Sequence, residues 1–303
     1  MRRLTVWGVS LFLAGCGARI NAAGDVPSSD DAASAADAAT DAADGVDAPP
    51  LGPWSTPAKI GGAATTAAED DVTLSSDALE LVFAIDGTAG KDLLYTSRPS
   101  KTEPWAPVAK LPFDMDSASE ETPRFSADDR ALYFASDRAD TATLDIYIVR
   151  RPERGSSLWG APVRLDAVST DKRVEKWFMP CSNDRYVMAQ SVGTVGTVGT
   201  DLVEGILGGD PPKRIAELSS TENDTGPFLT QDCLTIYFAS ARSGASMIYT
   251  SHRAAVTEPW PAPTPVLDFP VAGTSDGQED PWLSPDGRTF AFARSKDIYL
   301  STR

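Results

Sequence analysis

The chain repeats itself five times, and a repeat of this length admits few folds. Each copy holds a short apolar segment ending in Ser-x-Asp or a variant of it, then an aromatic-rich segment, then a third that usually opens Asp-Ile-Tyr or Asp-Leu-Leu-Tyr. The first copy reads Val72-Thr-Leu-Ser-Ser-Asp77, Leu81-Val-Phe-Ala84 and Asp92-Leu-Leu-Tyr95. The fifth reads Pro281-Trp-Leu-Ser-Pro-Asp-Gly287, Phe290-Ala-Phe-Ala293 and Asp297-Ile-Tyr299. The equivalent positions are Ser75, Ser126, Cys181, Thr230 and Ser284, spaced 51, 55, 49 and 54 residues apart. That period fits one four-stranded blade of a β-propeller. The Ser-Pro-Asp-Gly stretch is turn chemistry, since Pro presets φ, Asp bonds its own backbone and Gly accepts positive φ. The apolar segments on either side then form a hairpin.

A fourth, outer strand is marked by a tryptophan followed by proline: Trp105-Ala-Pro-Val, Trp159-Gly-Ala-Pro-Val and Trp260-Pro-Ala-Pro. The third copy keeps only Pro211-Pro-Lys-Arg-Ile215, and no such segment follows the fifth. The matching piece lies at the other end, at Trp54-Ser-Thr-Pro57-Ala-Lys-Ile60. The pattern predicts an all-β fold, a five-bladed propeller over 54–303 closed by an N-terminal strand (54–60) that completes the last blade. Such closure removes open sheet edges.

These repeats resemble the WD40-like repeats of TolB-type propellers over nearly all of 54–303. The resemblance implies architecture more than function, because propellers host many functions. An Ala/Asp-rich stretch stands where TolB carries an additional domain.

Arg2 and Arg3 precede an apolar run from Leu4 to Ala14, a signal-peptide pattern too short to span a bilayer. The run ends Leu13-Ala14-Gly15-Cys16, which resembles the bacterial lipobox. The resemblance implies cleavage after residue 15 and acylation of Cys16, with more than one chain for stable anchoring. Gly17 in place of an aspartate points to the outer membrane. Residues 16–53 are mostly Ala, Asp, Ser, Gly and Pro, and read as a disordered acidic tether. The organisation expected is therefore a leader (1–15), a tether (16–53) and a propeller (54–303), lipid-anchored in the cell envelope.

The net charge of −16 argues against nucleic acid, which needs a basic surface. One histidine excludes a multi-His metal site, and three cysteines exclude a disulfide framework. His252 follows a strand and reads as a surface residue. Cys181 and Cys233 fall at one hairpin level in neighbouring copies, where a bridge and two buried thiols are both open.

Six residues before the equivalent positions stand Glu69, Glu120, Glu175, Asp224 and Gln278, with Glu279 one step later. A ring of Glu69, Glu120, Glu175, Asp224 and Glu279 at one channel mouth would suit calcium or a cationic partner. Repetition alone also produces such a ring. Trp177 and Trp282, in or before inner strands, are candidates for stacking on a sugar or peptide. Trp105, Trp159 and Trp260 read as packing between blades. The tandem run Val192–Thr200 lacks the lysine of a phosphate loop and reads as an extended hairpin of a divergent third blade.

Catalysis has little support. Ser284-Pro-Asp-Gly-Arg-Thr-Phe290 departs from the sialidase-type Asp box, and no Gly-x-Ser-x-Gly elbow presents a serine. The function expected is non-catalytic binding or scaffolding of an envelope protein or glycan through one propeller face, without a cofactor unless calcium. The alternatives are a carbohydrate hydrolase using channel-mouth carboxylates and a calcium-binding structural module.

Overall fold

The computed structural model describes residues 51–61, 65, 67–139, 143–170, 172–192, 199–269 and 277–303. The expected leader, Cys16, the tether up to residue 50, and 193–198 of the Val-Gly-Thr run lie outside these residues. The described chain is all-β, with five four-stranded antiparallel sheets arranged as a five-bladed propeller.

Blade one is β2 (Glu69–Leu74), β3 (Glu80–Asp86), β4 (Lys91–Ser97) and β5 (Ala109–Lys110). Blade two is β6 (Glu120–Phe125), β7 (Ala131–Ser136), β8 (Asp145–Arg150) and β9 (Val163–Arg164). Blade three is β10 (Glu175–Pro180), β11 (Arg185–Ser191), β12 (Thr200–Ile206) and β13 (Lys213–Arg214). Blade four is β14 (Asp224–Leu229), β15 (Thr235–Ser243), β16 (Ala245–His252) and β17 (Thr264–Pro265). Blade five takes β18 (Gln278–Leu283), β19 (Thr289–Arg294) and β20 (Asp297–Thr302), and its outer strand is β1 (Ala58–Lys59). Ala58 pairs with Leu300 and Lys59 with Tyr299, so the strand expected to close the ring does so.

Four of the five first hairpins are built the same way. The hydroxyls of Ser75, Ser126, Thr230 and Ser284 donate to Asp77, Asp128, Asp232 and Asp286 at 2.7, 2.6, 2.5 and 2.5 Å. The same hydroxyls accept from the N–H groups of Glu80, Ala131, Thr235 and Thr289. Ser-x-Asp is therefore a folding device. Blade three has Cys181 there and a turn one residue shorter, with the Cys181 N–H bonded to the Arg185 carbonyl.

Second strands carry the core. Phe83, Phe134, Phe238 and Phe292 occupy one repeat position and are all but fully buried, with Met188 in blade three. Phe134, Phe238 and Phe292 stack on Tyr147, Tyr249 and Tyr299 of the third strands at 5.9, 6.1 and 5.9 Å. Each buried ring contributes about 1.5–3 kcal/mol.

Four blades share a second device that sequence reading left out. An arginine just after the third strand lies over the outer tryptophan: Arg98 over Trp105 at 4.3 Å, Arg151 over Trp159 at 4.7 Å, Arg253 over Trp260 at 4.0 Å and Arg303 over Trp54 at 4.1 Å. Each Nε–H donates to the first-hairpin carbonyl of its own blade, at Ala78, Asp129, Cys233 and Gly287. The pair locks the outer strand to the hairpin. Blade three has Leu207 in place of the arginine.

Candidate functional site

Inner strands β2, β6, β10, β14 and β18 surround the axis, and each carries a bulge. In β2, Asp70 faces Ala84 but Thr73 faces Val82, so one extra residue is inserted between them. The same shift recurs in the other four blades. The residues at the bulge, Asp71, Thr122, Trp177, Gly226 and Asp280, all adopt left-handed backbone with φ of 54°, 56°, 52°, 58° and 52°. Such conformation is uncommon for Trp and for β-branched Thr, and its fivefold recurrence makes the bulge a designed feature.

A bulge reverses which face a side chain takes. This is why Glu69, Glu120, Glu175 and Asp224 do not form an open ring at the channel mouth. All four are buried, as is Gln278. Each fastens the loop that enters its own blade. Glu69 accepts from the Thr65 N–H. Glu120 accepts from the Met115 N–H at 3.2 Å, Ser136 at 3.0 Å and Arg138 at 2.9 Å. Glu175 is bonded by Thr170 and Gln190, both at 2.9 Å. Asp224 takes the Ser220 N–H at 2.6 Å and Arg242 at 2.7 Å. Gln278 donates to the Phe269 carbonyl. Burial pushes Glu175 up to about 7 against its hydrogen bonds.

Glu279 alone of the expected ring is exposed at the mouth. It brings an oxygen within 4.8 Å of oxygens of Asp70 and Asp280, a spacing that a hard cation accepts. Lys91 already supplies positive charge there, 2.5 Å from Asp70 and 3.0 Å from Asp71. Burial works to raise Asp70, but the Lys91 ammonium outweighs it and leaves the carboxyl below its ordinary value.

Beneath this mouth the axis is filled. The Trp177 indole crosses from blade three and donates to Asp71 of blade one at 3.1 Å and Asp280 of blade five at 2.6 Å. Asp280 also accepts the Asp71 N–H at 3.1 Å. Both carboxyls are buried, which together with neighbouring carboxylates pushes Asp71 up to about 6 and Asp280 well above its ordinary value. Gly226 is required beside them, because a Cβ there would lie 3.0 Å from Asp280 Oδ1 and 3.1 Å from its nitrogen. Arg124, fully buried, lies 3.9 Å from Asp280 and donates to the Val72 carbonyl at 3.0 Å.

At the opposite end the first hairpins frame a funnel of about 400 Å³. Its wall is apolar, built from Leu74, Phe125, Met179, Phe228, Leu229, Trp282 and Leu283. Trp282 is 4% exposed and meets Phe228 edge-on at 6.5 Å. Thus Trp177 and Trp282 both reach the axis, but at different levels, and Trp282 lines the funnel.

Two clamps fix the funnel rim. Ser76 of blade one donates its N–H and hydroxyl to Asp129 of blade two, at 2.9 and 2.6 Å. Cys181 of blade three and Cys233 of blade four form a disulfide with Cα atoms 5.6 Å apart, which decides the alternative left open by sequence. The Ser182 N–H also donates to the Gln231 carbonyl at 3.0 Å. Trp105 and Trp260 are buried and Trp159 is half-buried against its arginine, while His252 is exposed and bonds Thr235 at 2.9 Å.

No family model and no curated protein sequence matches the chain. Solved structures match in fold. The alpha-L-arabinofuranosidase of Podospora anserina, solved with cellotriose, is 11% identical with a TM-score of 0.54, over 83% of this chain and 96% of that one. The putative TolB of Agrobacterium tumefaciens is 16% identical with a TM-score of 0.48, over 75% of this chain and 70% of that one. TolB of Acinetobacter baumannii is 10% identical with a TM-score of 0.47; the match covers 79% of this chain but spans only 55% of the Acinetobacter protein. At such identities a likeness is one of fold alone. The chain is a five-bladed β-propeller, similar in fold to two TolB proteins and to an arabinofuranosidase.

Proposed function

We propose that this chain is a non-catalytic binding protein of the bacterial envelope whose recognition site is the apolar funnel. The observation that carries the reading is the funnel itself: a concave apolar wall, a polar rim and a rim braced by a disulfide. A largely pre-formed apolar cavity with a few polar groups is the usual form of a binding site. Its rigidity lowers the entropic cost of binding.

The chain reaches the propeller at this face. Leu51 is 45% exposed, and a Cβ at funnel-lining Gly287 would lie 3.4 Å from its Cδ1.

The rival reading, a hydrolase working through channel-mouth carboxylates, is supported by the fold of the arabinofuranosidase. Its chemistry requires two carboxylates flanking a glycosidic bond, one as acid and one as base or nucleophile. Asp71 and Asp280 accept from the same indole N–H and are each 1% exposed, which leaves no room between them for a sugar.

The test is site-directed photo-cross-linking in native envelopes. A benzophenone side chain at exposed Gln231, on the rim, should give a saturable adduct, while one at exposed Leu158, which is not on the funnel, should give none. Equal labelling from both, or labelling from Leu158 alone, would overturn the reading.

A further inference from the structure

We infer that the funnel is a site for one alkyl chain of an amphiphile whose head group is neutral or cationic; the inference rests on the funnel being the recognition site. The apolar wall has two tiers. Met179, Phe228 and Trp282 are buried near the axis, and Leu74, Phe125, Leu229 and Leu283 follow one residue further along the inner strands. Polar groups lie beyond them, at Ser76, Ser126, Thr230, Gln231 and Ser284 in the hairpins. A volume of about 400 Å³ falls in the lower part of the range for ligand pockets, roughly 300–1,000 Å³. The wall offers no polar side chain to a sugar ring or phosphate, so what it gains from a ligand is burial of hydrocarbon, about 0.8 kcal/mol for each CH₂.

The head group is chosen by charge. Among the described residues no Lys or Arg lines the funnel, whereas Asp129 and Asp232 do. Asp129 is already engaged by Ser76 and by Arg154 at 3.0 Å. Asp232 is exposed and held by its own turn through Thr230. Burial works to raise it, but that hydrogen bond and the Leu234 N–H outweigh burial, so it is ionised at neutral pH. Arg154, a cation at this rim, is already paired with Asp77 and Asp129, both at 3.0 Å. An anionic head would therefore meet the Asp232 carboxylate with no uncommitted guanidinium or ammonium lining the funnel among the described residues, while an ammonium or hydroxyl would be accepted.

The experiment uses the full chain with N-phenyl-1-naphthylamine, a neutral apolar fluorophore, displaced in turn by dodecanol, dodecylammonium and dodecanoate. The expected result is saturable probe emission, with both neutral and cationic chains displacing it at about tenfold lower concentration than dodecanoate. Leu283→Trp, which fills the mouth, should abolish probe binding, and Met179→Asp should do the same. Leu158→Ala, at an exposed apolar residue off the funnel, should change nothing. Asp232→Asn should bring dodecanoate close to dodecylammonium. The inference is overturned by a folded chain that binds no probe, by dodecanoate displacing as well as dodecylammonium, or by unchanged binding in Leu283→Trp. A rim-specific cross-link at Gln231 combined with no amphiphile binding would overturn this inference alone and leave the recognition face standing.

Discussion

Trp177, in the third blade, donates its indole N–H to Asp280 in the fifth at 2.6 Å, so one side chain ties blades on opposite sides of the axis. The same N–H reaches Asp71 of the first blade. Trp177→Phe keeps the ring and removes the donor. A hydrogen bond to a carboxyl group of this kind contributes about 1.5–3 kcal/mol. Urea denaturation should show a loss of that size with an unchanged slope, and a loss below about 0.5 kcal/mol would mean that the tie is unimportant.

The buried carboxyl pair also sets a pH dependence. Burial first, and neighbouring carboxylates second, push Asp71 up to about 6 and Asp280 above its ordinary value. The folded chain therefore binds these protons more tightly than the unfolded one. Their stabilisation is complete below about pH 4 and is lost as pH rises through about 6 and beyond. Asp77, Asp128, Asp232 and Asp286 are shifted the other way, and their contribution is lost only on acidification below about pH 4. The urea midpoint of the native chain should fall between pH 5 and pH 8. Asp280→Asn should flatten that fall, and an equally steep fall in the variant would contradict the assignment.

The bridge between Cys181 and Cys233 closes a sequence separation of 52 residues. Loop-closure entropy gives such a link about 4 kcal/mol. Reduction, or the double change Cys181→Ser and Cys233→Ser, should lower the melting temperature clearly. Mass spectrometry of the native chain should find no free thiol at either position.

Arg253 covers Trp260, donates its Nε–H to the Cys233 carbonyl at 3.1 Å and pairs with Glu204 at 3.1 Å. Arg253→Lys keeps the charge but loses the planar fork and the stacked face. It should cost about 1–2 kcal/mol. Arg150→Lys, on an exposed arginine at the end of β8, should cost less than about 0.5 kcal/mol in the same urea titration.

The blades and their closure follow from repeat length and turn chemistry, which a linear pattern displays directly. Trp54 to Ile60 could be assigned to blade five because that blade lacked an outer strand. The site was not open to the same reasoning. Strict alternation places Glu69, Asp71 and Thr73 on one face, but the bulge inserted after Asp70 turns Glu69 away from Thr73. Nothing in the local composition marks that insertion, since the five bulge residues are Asp, Thr, Trp, Gly and Asp. The funnel was hidden for another reason: Met179 and Phe228 look like core residues in sequence, Trp282 alone of the wall stands out as a stacking candidate, and only ring closure leaves a cavity between them. The arginine over each outer tryptophan carried a signal that went unread, a basic residue just past the third strand in four of five copies.

The central claim is that recognition belongs to the apolar funnel and not to the carboxylates at the other mouth. Two full-length variants separate these faces, Met179→Asp in the funnel wall and Glu279→Gln beside Asp70 and Asp280. Affinity capture from native envelopes should yield a component that the native chain and Glu279→Gln both retain and that Met179→Asp, folded by circular dichroism, loses. A component retained by Met179→Asp and lost by Glu279→Gln would contradict the claim and place recognition at the acidic mouth.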